Sequence, residues 1–299
     1  MQLEEILSEL ENSTGQFPYQ ALDKAIEERE AITPLLLTTL SDCKNNLEEI
    51  YNKPEYILHI YALFLLAQFR ESKAYPLIIE FFSIPGEKPM EVTGDVVTED
   101  LSRILASVCD GKIEAIKRLI ENREANEYVR GAALQSLVIL VVHRIISREQ
   151  VIEYFKQLFS LLFENQSSTN AAEEEPDYIW TELVINASII APVELQEYIE
   201  RSLDEDLVEP FFFAKDDLDD CLQAGFENNL NKLRGNPHYS LIEDTVSEMK
   251  TWYSFDMNKT KFYVEKEGFS SSPKKSQSKA KKKKKMQKES RRKNRTKKK

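Results

Sequence analysis

Glycine is scarce in this chain: its 299 residues contain 8. Tight turns and phosphate-cradling loops draw on glycine for backbone shapes that other residues resist, so the scarcity argues against a β-rich or α/β protein. Neither G-x-x-x-x-G-K nor G-x-G-x-x-G occurs, and no G-x-S-x-G nucleophile turn is present. Cysteine is equally thin. Cys43, Cys109 and Cys221 lie far apart and are odd in number, which suits reduced, buried thiols rather than a disulfide framework or a metal site. The three histidines, His59, His143 and His238, share no zinc-motif spacing. No metal and no cofactor is expected. Long apolar runs are also missing: residues 57–69 and 132–142 are the longest, short of the roughly 20 needed to span a bilayer. Met1-Gln2-Leu3-Glu4-Glu5 is acidic where a secretory signal is basic, so a soluble, cytoplasmic protein without a transmembrane segment is expected.

Charge divides the chain in two. The overall net charge is -11. Residues 271–299 hold 16 Lys and Arg and one acid, Glu289, so the other 270 residues hold 24 basic and 50 acidic groups, a net of -26. The acidic body disfavours nucleic acid and anionic membrane, whereas the basic end favours both.

What the body has in abundance is helical periodicity. Leu3, Ile6, Leu7 and Leu10 predict an amphipathic first helix. Phe17-Pro18 opens a second, and Thr33-Pro34 reads as the start of a third running to about Tyr51. From there a repeat emerges. Ile57–Phe69 with the helix through Leu77, Leu101–Val108 with Ile113–Ile120, Tyr128–Ile146 with Val151–Leu162, and Ile179–Ile190 with Val193–Leu203 form four successive pairs. Their turn markers Lys73, Lys112, Arg148 and Pro192 fall 39, 36 and 44 residues apart, an interval that suits HEAT or armadillo repeats. Residues 83–97 read as an inserted connection, with Thr98 capping the next helix, and 164–175 as a polar loop. A helix to about Leu233 and a last one over 239–253 close the body. The expected class is all-α, a HEAT/armadillo-like α-solenoid over residues 1–268 with a disordered Lys/Arg-rich tail over 269–299.

The stretch Asn126–Val142 is too apolar to have a solvated side, and its Gly131, Ala132 and Ala133 allow helix axes to come close. Arg130 within it reads as holding an acid of the neighbouring repeat. Tyr56 and His59 lie one helical turn apart, and Asp95, Glu99 and Asp100 cluster at a helix start. Paired carboxylates can do acid–base work, but at a helix start they more often complement the dipole. Six residues, Tyr56, His59, Asp95, Glu99, Arg103 and Arg130, are therefore expected to line a groove for an unknown protein partner. An enzymatic pocket around Asp95, Glu99 and His59 is the rival reading. In the tail, Lys281, Lys282, Lys283, Lys284, Lys285, Arg291, Arg292, Lys293, Arg295, Lys297, Lys298 and Lys299 lack interleaved aromatic residues. That pattern points to sequence-independent phosphate contact with RNA, ribosomal RNA included, or another polyanion.

Several stretches together resemble one bacterial family. They are Phe17-Pro18 with Ala25–Glu30, Ile32–Leu36, Leu58–Leu63 with Leu66–Arg70, Ala74–Ile78, Gly94–Leu101 and Glu127–Ala133. In this order they are similar to domain-of-unknown-function family 1186. The resemblance covers roughly residues 1–253 and implies a HEAT-like helical fold with no assigned activity, so no catalytic residue carries over. Members often end in a cysteine-rich zinc motif. This chain has no cysteine after Cys221 and a basic stretch in that place. The overall expectation is a non-enzymatic scaffold with a protein-binding helical surface and a polyanion-binding tail.

Overall fold

The computed structural model describes residues 1–168, 177–252 and 255, and the chain divides into two units, Met1–Thr251 and Trp252–Lys299. Among the described residues of the first unit the regular elements are helical, with isolated bridges at Asn12–Tyr56 and Gly86–Ala125. The order begins α1 (Leu3–Glu11), α2 (Tyr19–Glu27), α3 (Arg29–Asn45), α4 (Leu47–Tyr51) and α5 (Leu58–Gln68). It continues through α6 (Ala74–Phe82), α7 (Lys88–Thr93), α8 (Val96–Glu99), α9 (Leu101–Val108), α10 (Glu114–Glu121) and α11 (Glu127–Val142). Last come α12 (Arg148–Ser168), α13 (Ile179–Ile190), α14 (Gln196–Asp204), α15 (Lys215–Arg234) and α16 (Thr245–Met249). No helix among the described residues is long and apolar enough to cross a membrane.

Helices α5 and α11 form the spine. Every residue from Leu58 to Ala67 is buried, and so is nearly all of α11; helices apolar on every side need neighbours on every side. Helix α11 packs between α9 and α13, and α5 between α3 and α9. Side-chain bonds then tie consecutive pairs together at a recurring separation. Tyr75 Oη donates to Lys112 O at 3.0 Å, Asn122 Nδ2 to Ser83 O at 3.2 Å, and Arg148 Nε to Ile190 O at 2.8 Å. These partners stand 37, 39 and 42 residues apart. A neighbour one two-helix unit away lies at that distance along the chain, an arrangement compatible with a HEAT-like stack.

Helix α11 begins where Asn126 Oδ1 accepts from the amides of Tyr128 and Val129, at 2.9 and 3.3 Å, the capping that a helix start requires. Gly131 packs closely against Glu182 of α13. A Cβ built there would lie 2.8 Å from Glu182 Cγ and 3.4 Å from Tyr178 Cε1. Helical Gly→Ala exchanges usually stabilise by about 1 kcal/mol. Here the sign should reverse, and Gly131→Ala should lower the unfolding free energy by about 1–3 kcal/mol through overpacking. Urea titration measures this; a stabilised variant would show that α13 can retreat freely.

The structure corrects several boundaries. Helix α3 starts at Arg29 rather than at Thr33-Pro34, and Thr33 Oγ1 turns back to Arg29 O at 2.7 Å. Pro34 is exposed in the second turn, and burial of Ile32, Leu36 and Leu40 outweighs its one missing backbone bond. Residues 88–99 hold two short helices, α7 and α8, so Thr98 lies within α8 rather than capping α9. Helix α12 runs on to Ser168, into the stretch expected to be a loop.

The largest correction concerns the end of the body. In place of a helix over 239–253, a 3-10 turn (Pro237–Tyr239) leads into non-helical residues 240–244 and the short α16. This strap lies back across the first half of the chain. Ile242 N donates to Ser107 Oγ at 2.9 Å, Thr245 N to Gln68 Oε1 at 2.8 Å, and Arg70 Nη1 to Ile242 O at 2.7 Å. Ile242, Thr245 and Met249 are fully buried. Borrowed side-chain partners replace the bonds a helix would have supplied, which lets this segment be buried without one.

Candidate functional site

Of the six residues expected to line one groove, Tyr56 and His59 lie together, while Arg103 and Arg130 are each buried among other partners. His59, on α5, is buried; its Nε2 lies 2.9 Å from Val92 O, just before Gly94, while Nδ1 has no partner. Burial holds the ring's pKa below the usual histidine value despite the Val92 carbonyl. The half-buried Tyr56 stacks on it, ring centroids 5.5 Å apart. Asp95 and Glu99, at α8, are exposed. Arg103 is buried and faces the strap, where it meets Asp100, Ser240 and Glu248. Arg130 is buried as well, donating to Ile120 O at 2.9 Å and to Asp177 Oδ2 at 2.6 Å. Both arginines thus bind their own chain. The tail residues Lys281–Lys299 lie outside the described residues. Burial pushes the Cys43 thiol up to about 12 and also raises Cys109 and Cys221, so none is an activated thiolate at neutral pH.

A different cluster gathers at the outer end of the α11–α13 contact. The rings of Tyr128 and Tyr178 lie 5.0 Å apart, Tyr178 and Phe212 6.0 Å, and Phe212 and Phe211 5.3 Å. Phe211 is 83% exposed, Phe212 49% and Tyr128 39%. Local structure forces this. Glu209 N donates to Thr181 Oγ1 at 2.9 Å, pinning the chain to α13, and Phe212 N donates to Glu209 O at 3.0 Å. The turn buries Phe213 and leaves its two aromatic neighbours outside. In the sequence, Phe211-Phe212-Phe213 follow Pro210 directly. The available signal was the Pro210 break before three bulky residues, since a turn cannot bury three consecutive rings.

Beneath the rings lies Glu182. Its Oε1 accepts from Tyr178 Oη at 2.6 Å and its Oε2 from Asn186 Nδ2 at 3.3 Å, while Asn186 Oδ1 is buried without a partner. Burial raises the carboxyl above its ordinary range, more than these two donors lower it. A carboxyl whose pKa is raised on folding stabilises the protein at low pH, and that contribution is lost as pH climbs through the folded value. Glu182→Gln keeps the acceptor for Tyr178 and removes the charge that burial disfavours. It should raise stability at pH 8 by on the order of 1 kcal/mol and flatten the profile above pH 5. Denaturation curves from pH 5 to 9 check this; a less stable variant at pH 8 would mean that the charge itself holds the site.

Comparison with known proteins gives a family without naming a chemistry. An uncharacterized protein of Chlamydia muridarum (strain MoPn / Nigg) is 36% identical over 261 residues, covering 84% of this chain and 97% of its own length. One from Chlamydia trachomatis serovar D is 37% identical over 254 residues, covering 84% and 96%. No solved structure matches significantly. A family profile described as a protein of unknown function, DUF1186, matches residues 1–256, and the chain belongs to that family.

Proposed function

We propose that this protein is a non-enzymatic interaction scaffold whose helical body binds a basic segment of a protein partner and whose basic C-terminal stretch contacts RNA or another polyanion. The observation that carries the first half is the run of the exposed rings Tyr128, Phe212 and Phe211, joined through the half-buried ring of Tyr178. Contiguous exposed aromatic surface is characteristic of recognition sites, where rings become the buried anchors. Charge selects the occupant. The body carries a net of -26, and the exposed Glu127 adjoins Tyr178, whose amide it accepts at 3.3 Å. A segment carrying Arg or Lys with interspersed apolar residues meets both features, because cations also sit favourably over aromatic faces. Tyr56, Asp95 and Glu99 remain candidates for a second acidic contact.

The test is fluorescence anisotropy of a labelled twelve-residue Arg/Leu peptide with the full-length chain and with Phe211→Ser/Phe212→Ser. Loss of two aromatic anchors should weaken binding at least about 30-fold, since each is worth about 1–2 kcal/mol. Equal affinity for the two proteins, or no binding to either, would overturn the assignment.

A further inference from the structure

Among the described residues, three non-glycine residues have a left-handed backbone: Arg70 (φ 57°), Arg144 (φ 60°) and Asp206 (φ 57°). Each follows the end of a helix, where glycine is the usual occupant and an L side chain is strained. Arg70 and Arg144 close their helices in the same way. Glu71 N bonds Leu66 O at 3.0 Å, and Ile145 N bonds Leu140 O at 2.8 Å. Arg70 has an evident use, because its guanidinium reaches Ala67 O and Ile242 O, both at 2.7 Å, and Glu243 at 2.5 Å. Arg144 does not. It is exposed, and its guanidinium has no partner among the described residues.

Arg144 borders an open groove of about 570 Å³ between the α11–α12 turn and the second half of α15. Arg148 and Arg234 line the same groove, and Glu227 is its one acidic lining residue. Arg148 is fixed, its guanidinium 4.3 Å from the Phe226 ring centroid and 2.6 Å from Glu194. Arg234 is exposed and donates to the Asn231 side-chain oxygen at 2.9 Å, which leaves its charge unpaired. Phe226 comes into place because α15 leaves the helical path at Gly225 (φ 73°, ψ 164°), a conformation open to glycine. Three guanidinium groups therefore converge on a body of net charge -26, and two of them lack an acidic partner.

We propose that this groove binds phosphate, with Arg144 and Arg234 as the contacting cations, Arg148 holding the wall and Phe226 as its floor. Arginine matches phosphate oxygens in a planar, two-point geometry that lysine lacks. The phosphate is supplied either by a free phosphorylated small molecule or by the backbone of a nucleic-acid strand. The site is distinct from the aromatic surface and does not depend on it.

The experiment uses the full-length chain with all 16 Lys and Arg of residues 271–299 changed to Gln, so that the tail contributes little. Pyrophosphate is titrated by calorimetry and a labelled single-stranded RNA twelve-mer by anisotropy, with and without Arg144→Gly/Arg234→Gln. Arg144→Gly relieves the left-handed strain, so thermal stability should hold or rise while binding falls. Losing two charge-assisted contacts should weaken the bound probe at least about 30-fold. Pyrophosphate binding that falls in the double variant identifies a free phosphate ligand. RNA binding that falls without detectable pyrophosphate binding identifies a strand. Affinity that persists unchanged in a folded double variant for every probe that binds, or no binding of either probe, overturns the proposal.

Discussion

Arg103→Met should lower the unfolding free energy by about 3–5 kcal/mol, the cost of removing one partner from a buried charge cluster. All five guanidinium donors are engaged. Nε reaches Ser240 O at 3.0 Å, Nη1 reaches Asp100 Oδ1 at 2.8 Å and Glu248 Oε2 at 2.9 Å, and Nη2 reaches Ser240 Oγ at 2.8 Å and Glu248 Oε1 at 2.5 Å. The Arg103 side chain is 6% exposed and that of Asp100 14%. Methionine fills most of the space but leaves two carboxyls facing each other without a cation. Burial already raises the Asp100 carboxyl, and Arg103 partly offsets that rise. Without the arginine the folded pKa climbs further, so the deficit should grow from pH 5 to pH 8. Arg103→Lys should recover part of the loss, because three donors on a point charge cannot satisfy five positions. Chemical denaturation at both pH values measures all of this. A loss under about 1 kcal/mol that does not vary with pH would mean that apolar burial alone holds the strap.

RNA affinity of the full-length chain should fall roughly a thousandfold between 50 and 200 mM salt, as expected for about eight phosphate contacts on a single strand. The stretch 271–299 carries 16 basic residues and one acid and no aromatic ring to stack on bases. Affinity should therefore be nearly independent of base sequence. Changing Lys281–Lys285, Arg291, Arg292, Lys293 and Arg295 to Gln in the full chain should remove at least about 100-fold of the affinity at 50 mM salt and most of the salt slope. An unchanged slope in that variant would place the contacts elsewhere. The net of -26 on the other 270 residues works against the strand, so the stretch must overcome repulsion as well.

The helices legible in the sequence were those whose information is local. Helices α5 and α11 are apolar around their whole circumference, and Asn126 caps α11 directly. The polar turns between helices are local in the same way. The strap could not be read that way, because its bonds join residues 135 and 177 positions apart. The placement of Arg103 failed with it: an arginine amid an apolar helix suggests an open groove until Ser240 and Glu248 arrive from a distant segment. Arg130 can be understood from packing, since Asp177 stands at the start of the next pair. The exposed rings were visible as letters but not as a surface, because Tyr128 and Tyr178 come from different helices. Gly225 was a lone glycine in a helical pattern, and its positive φ breaks α15 there.

The strap also bears on synthesis. A linear array of helix pairs can settle unit by unit as it emerges, but α2, α5 and α9 here await Ile242, Thr245 and Met249. At ordinary translation rates of about 5–20 residues per second, the early helices wait on the order of 10–50 s for their cover. Throughout that interval the nascent protein presents a sticky, half-finished flank, so its yield in a cell should be governed by whatever shields that flank until the last turn of the body is made.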